Sequence, residues 1–95
     1  MTLRWALRAR RDLHELIAYI ADDSVAAAEL VASRILKTAE LLSEVPHAGR
    51  PSRVEGTREL VVLRTPYLLA YRVEPDRIRI LRVYHGAREW PSRFD

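Results

Sequence analysis

Cysteine is absent from the chain's 95 residues, which excludes disulfides and thiolate metal sites and is natural in a reducing compartment. Glycine occurs three times, at Gly49, Gly56 and Gly86, and never in the clustered spacing of a phosphate-cradling loop or a nucleophile elbow. No apolar run approaches the roughly 18 residues of a spanning helix. The opening residues, Met1 to Arg8, hold no apolar core of a signal peptide. Together these absences predict a cytoplasmic protein without membrane association. His14, His47 and His85 stand too far apart for their spacing to suggest a metal site, and no carboxylate pair stands out. No metal and no cofactor are expected.

What is present is an ordinary globular composition, 48% hydrophobic and 31% charged, over a length that suits one domain, residues 1–95. The formal net charge of +3 hides an asymmetry. Residues 1–45 carry six basic and seven acidic side chains, whereas residues 46–95 carry ten basic and six acidic. All ten basic residues of the second half are arginine. Arginine presents a planar fork of donors that matches carboxylate and phosphate. The second half therefore faces a nucleic acid or an acidic protein segment, or else is a solvated arginine-rich surface.

Helical periodicity opens the chain after a short β-prone stretch, Leu3-Arg4-Trp5. Ala9, Leu13, Leu16, Ile17, Ile20 and Ala21 recur at helical spacing, with Arg8, Arg11, Asp12, Glu15 and Asp22 largely on the other side. Asp22-Asp23-Ser24 breaks the pattern, and Asp23 or Ser24 suits the N-cap of a second helix that runs to about Glu44. So short a joint predicts an αα-hairpin, with Ala26, Ala27, Ala28 and Ala32 allowing close approach. Pro46, Gly49 and Pro51 end the helical half.

Three β-like runs follow: Thr57 to Leu63, Tyr67 to Glu74, and Arg77 to Tyr84. Tight connections at Thr65-Pro66 and at Glu74-Pro75-Asp76-Arg77 make them an antiparallel meander. Its apolar face needs a cover, and the helical hairpin is the cover on hand. The expected fold is α+β: a short N-terminal strand, then an antiparallel αα-hairpin packed on the meander.

Candidate functional residues crowd the β half: Arg50, Arg53, Arg58, Arg64, Arg72, Arg82, His85 and Arg88. Two readings of His85 stand open. It titrates near neutrality and is able to act as a general acid or base in RNA cleavage, with arginines holding the scissile phosphate. Alternatively it is part of a structural clasp, hydrogen-bonded to a strand carbonyl while Trp90 plugs the open end of the core. Gly56 and Glu59 have structural readings too, the first freeing a turn and the second pairing with a nearby arginine.

A set of short signatures runs through nearly the whole chain in order. They are Asp12-Leu13, Tyr19-Ile20-Ala21, Pro46, Gly49-Arg50, Gly56-Thr57-Arg58-Glu59-Leu60, Pro66-Tyr67, Tyr71-Arg72-Val73, Leu81-Arg82-Val83, His85-Gly86-Ala87-Arg88 and Trp90-Pro91. Taken together, the chain resembles the ParE/RelE superfamily of type II toxins, often labelled plasmid stabilization proteins. The resemblance implies a toxin held inactive by a cognate antitoxin whose C-terminal segment folds on it, with operator DNA bound only through the antitoxin. It implies one of two targets.

RelE-like members cleave mRNA on the ribosome with basic residues, and one subgroup uses a C-terminal His, a strand Arg and a Glu. His85 matches that His, but Leu68 stands where the Arg is expected, Glu55 matches only loosely, and Lys37 is the only lysine. ParE-like members poison DNA gyrase without chemistry of their own. The signatures around Gly56 and His85 are more similar to ParE, which is the favoured branch. On that reading Arg50, Arg58, Arg64, Arg72, Arg82, His85 and Arg88 contact target or antitoxin; on the nuclease reading His85, Arg82 and Arg88 are catalytic. A third possibility is a corepressor that binds antitoxin and has lost its toxicity.

Overall fold

The computed structural model describes residues 1–87. Arg88, Trp90 and Pro91, and with them the expected plug of the core, lie outside the described residues. The chain runs β1 (Thr2–Trp5), α1 (Leu7–Ala21), α2 (Val25–Glu44), β2 (Arg50–Pro51), β3 (Arg58–Val61), β4 (Tyr67–Val73) and β5 (Arg77–His85). The sheet order is β1-β5-β4-β3-β2. The expected meander is β3-β4-β5, and the sheet is wider than that. The N-terminal strand pairs parallel to β5, and the two residues of β2 pair antiparallel to β3, so the sheet is mixed.

Ser24 caps α2, its hydroxyl accepting from the Ala27 N–H at 3.1 Å, a bond whose loss costs about 1 kcal/mol. Helix α1 starts two residues before the periodic pattern suggests. Its cap, Ala6, offers no side-chain acceptor and is instead tethered to the sheet, its N–H donating to the Ile80 carbonyl at 2.8 Å. Of the alanines expected between the helices, Ala28 is buried, but Ala26 and Ala27 face solvent.

Both helices cover one face of the sheet. Leu16, Ile35, Ala39 and Leu42 meet Val62, Leu69, Tyr71, Ile78, Ile80 and Val83, and Leu3 and Trp5 pack against this core. The opposite face carries a smaller cluster of Leu68, Ala70 and Tyr84. One irregularity was written in the sequence. Ile78 and Ile80 keep the two-residue period of a strand, but the next inward residue is Val83, three positions on. A bulge absorbs the extra residue: Tyr71 pairs with Ile80 and Ala70 with Arg82, leaving Leu81 unmatched.

The loop after α2 is held by a buried tyrosine. The Tyr71 hydroxyl donates to the Pro46 carbonyl at 2.9 Å and accepts from the Gly49 N–H at 2.8 Å, while Arg58 donates to the Gly49 carbonyl at 2.7 Å. Gly49 sits so close that a Cβ there would lie 2.5 Å from the Glu59 carbonyl oxygen and 2.7 Å from the Tyr71 hydroxyl. Only glycine fits. Gly56 is required for a different reason, its φ of +77° in the turn before β3.

Burial pushes the Tyr71 phenol above its ordinary value of 10.0, and the Gly49 hydrogen bond offsets part of that shift. A raised folded pKa means the folded state holds its proton longer than the unfolded chain. The associated stability is therefore complete below about pH 10 and is lost as pH rises through the folded value. Tyr71→Phe should remove this alkaline component and cost about 1–3 kcal/mol at neutral pH, because the Gly49 and Pro46 groups lose their partner. Urea unfolding at neutral and alkaline pH checks both.

Candidate functional site

The arginines singled out from the sequence do not converge. Arg50 pairs with Glu59 at 2.8 Å, as expected for Glu59, and Arg58 is spent on the Gly49 loop. Arg53 is exposed between β2 and β3. Arg64 adopts a φ of +63° in the turn before β4, and its carbonyl accepts from the Arg34 guanidinium. Arg72 is exposed on the helix-free face, since its neighbours Tyr71 and Val73 turn toward the helices.

Arg82 has a structural task. Strand β1 ends opposite Ile80, so among the described residues no strand continues along the outer edge of β5 beyond that point. Asp12 of α1 fills the gap. Its carboxylate accepts from the Val83 N–H at 2.9 Å and from two nitrogens of Arg82 at 2.7 and 3.1 Å. Arg82 also donates to the Tyr84 hydroxyl at 3.0 Å and lies 4.7 Å from that ring's centre. The Asp12 hydrogen bonds hold the guanidinium above its ordinary pKa. Both side chains of the pair are almost covered, 13% and 11% exposed. An arginine so engaged is not available to a phosphate.

His85 ends β5 and is exposed. Its Nδ1 accepts from the Ala87 N–H at 3.2 Å, which in the neutral ring leaves the proton on Nε2. The expected strand-carbonyl partner is not the one found. Tyr67 meets the imidazole edge-on, with ring centres 5.6 Å apart. The cleft beside them, about 500 Å³, is lined by Asp12, Glu15, Leu16, Tyr19, Tyr67, Val83 and His85. Glu15 puts a negative charge in this cleft, Asp12 is already paired with Arg82, and no cation among the lining residues is placed to seat a phosphodiester.

Neither further member of the nuclease set joins His85. Leu68 is an apolar, buried residue of the helix-free cluster. Glu55 lies in the loop before β3, whose first residue, Arg58, pairs with Tyr71, whereas His85 pairs with Tyr67 at the other end of β4. Among the described residues no group of three or more His, Asp or Glu is placed to hold a metal ion, and no helix is long and apolar enough to cross a membrane.

A second concavity was not anticipated. At the outer edge of β3, Thr38 and Leu41 of α2 meet Ala48, Leu60, Val61 and Leu63 in a groove of about 390 Å³. Leu41 is 44% exposed, Val61 50% and Leu63 78%. Strand β2 covers only Arg58 and Glu59, so the edge at Leu60 and Val61 has no strand partner among the described residues. The sequence did hold a signal. Val61 and Leu63 alternate with the inward Leu60 and Val62, so this run is apolar on both faces.

With this geometry in hand, the comparisons are direct. The family described as "ParE toxin of type II toxin-antitoxin system, parDE" matches residues 3–90. The Y4kP protein of Sinorhizobium fredii is 45% identical over 90 residues, covering 95% of this chain and 93% of its own. Toxin RelE2 of Caulobacter vibrioides is 38% identical over 84 residues, 88% of this chain and 93% of its own. Among solved structures, a chain of the chromosomal ParDE system from P. aeruginosa superposes with a TM-score of 0.81 at 32% identity, covering 90% of this chain and 95% of that one. A chain of the toxin–antitoxin complex RelBE2 from Mycobacterium tuberculosis gives 0.63 at 33% identity, covering 88% and 95%. The helical hairpin on a mixed sheet is a type II toxin fold, and this chain belongs to the ParE toxin family.

The Asp12–Arg82 pair carries a prediction. Arg82→Ala leaves an almost covered carboxylate with only the Val83 N–H, and should cost about 2–4 kcal/mol in urea unfolding. Arg82→Lys should recover only part of this, because an ammonium cannot reproduce the fork.

Proposed function

We propose that this toxin acts on DNA gyrase as a stoichiometric poison, with no chemistry of its own, and is neutralised by a cognate antitoxin. The observation that carries this reading is the setting of His85. Its cleft holds two carboxylates, the strand position that would supply a phosphate-binding arginine is the buried Leu68, and Arg82 is locked to Asp12. The higher TM-score to the ParDE chain than to the RelBE2 chain points the same way. Purified toxin at micromolar concentration should block supercoiling by gyrase. No effect there, together with ribosome-dependent mRNA cleavage that His85→Ala abolishes without loss of fold, would replace this reading with the nuclease one.

Both solved neighbours come from toxin–antitoxin systems, and the β3-edge groove is suited to the antitoxin's segment. It offers apolar contacts from Leu41, Val61 and Leu63 beside a strand edge that has no partner among the described residues, the combination that an extended or helical peptide uses when it folds on a partner. Leu41→Glu with Leu63→Glu should weaken antitoxin binding by about 30-fold or more in calorimetry, as loss of a hot spot does. Because both residues are already exposed, unfolding stability should change by less than about 0.5 kcal/mol each.

A further inference from the structure

The helix-free face holds a row of like charges that the proposed function does not use. Strand register places Arg4 of β1 opposite Arg79 of β5, and Arg79 opposite Arg72 of β4. All three side chains point away from the helices, because their neighbours Leu3, Trp5, Ile78, Ile80, Tyr71 and Val73 all belong to the helix-side core. Arg77, opposite Thr2, lies on the same face.

Two carboxylates serve these four arginines. Glu74 reaches Arg79 at 3.3 Å and Arg77 at 3.6 Å, and Asp76 takes Arg77 at 3.2 Å. Arg4 and Arg72 are exposed and make no ion pair among the described residues. Like charges set directly opposite across strands destabilise a sheet. A row of three across adjacent strands is therefore a cost that an external anion would offset.

We infer that this row binds the phosphate backbone of duplex DNA, independently of what the toxin poisons. Strands lie about 4.8 Å apart, so the three guanidinium groups spring from a line about 10 Å long. B-form DNA carries one negative charge per roughly 1.7 Å of helix axis, which places several phosphates over such a line. The surroundings favour a duplex over other anions. Single strands are held largely by bases stacking on exposed aromatic rings; here Tyr71 and Tyr84 are buried and Trp5 packs against the helix-side core. An acidic peptide that folds on binding needs exposed apolar anchors; one side of the row is flanked by Thr2, Glu74 and Arg77, and the apolar cluster on the other side, Leu68, Ala70 and Tyr84, is already buried. The contact is made to backbone alone, so it positions the protein without reading sequence.

The test is fluorescence anisotropy of the full-length chain with a labelled DNA duplex of arbitrary sequence, titrated across salt concentrations. Arg4→Gln with Arg72→Gln should weaken binding at low salt by about tenfold or more, and should flatten the log–log salt slope by about 2, since each lost phosphate contact removes about 0.9. Arg8→Gln with Arg11→Gln removes the same charge from exposed positions of α1, across the molecule, and should stay within about twofold of the parent. Equal losses in the two double variants would overturn the inference, because binding would then follow net charge alone. A single strand of equal length, or polyglutamate, that outcompetes the duplex would overturn it too. If the double variant loses its fold by circular dichroism, Arg72→Gln alone carries the test, with a slope change of about 1.

Discussion

The whole structure hangs on how the end of β5 is tied to α1. Strand β1 is only four residues long and covers β5 as far as Ile80. Beyond that point β5 would present bare backbone at an edge next to the core. Asp12 closes it by taking the Val83 N–H and the fork of Arg82 at once, across 70 residues of sequence. Because one carboxylate satisfies a backbone group and a charge together, α1 cannot slide along the sheet without breaking both. The bulge at Leu81 is part of the same arrangement, since it turns Arg82 to the face from which it wraps the edge.

A second tie works at the opposite end of the sheet. Tyr71, fully buried, holds the Pro46–Gly49 loop by two hydrogen bonds, and Arg58 holds the same loop by a third. These two ties explain several of the signature residues: Asp12, Pro46, Gly49, Arg58, Tyr71 and Arg82. The signatures encode scaffold chemistry, such as a glycine where no Cβ fits and a carboxylate where a strand edge needs an acceptor. That is why they identify the fold so well and separate gyrase from ribosome so poorly. Target choice has to come from the surfaces between the ties, which the scaffold leaves free to vary.

Those surfaces have distinct physical characters. The β3 edge is apolar and open, the cleft at His85 is acidic and aromatic, and the helix-free face at Arg4, Arg79 and Arg72 is flat and basic. A chain of this size can present them side by side because its sheet is wide and only one face is covered by helices. The arginine excess of the second half thus divides between internal work and display. Arg58 and Arg82 hold the structure, whereas Arg72 and Arg79 stand with Arg4 in one row.

The sequence by itself determined the N-terminal strand, the two helices and the three later strands in order, though not the two-residue β2. Periods of helical and strand spacing are local, so the helical hairpin with a cap at Asp23 or Ser24 and the β3-β4-β5 meander were legible. Only the tertiary structure decided what those residues touch. Register placed Arg4 in line with Arg79 and Arg72, set Glu55 far from His85, and brought Asp12 to Arg82. It also left Leu41, Val61 and Leu63 exposed around an edge with no strand partner among the described residues. Such pairings depend on contacts between residues distant in sequence. No local pattern specifies them, because a one-residue shift in register would exchange every partner across the sheet.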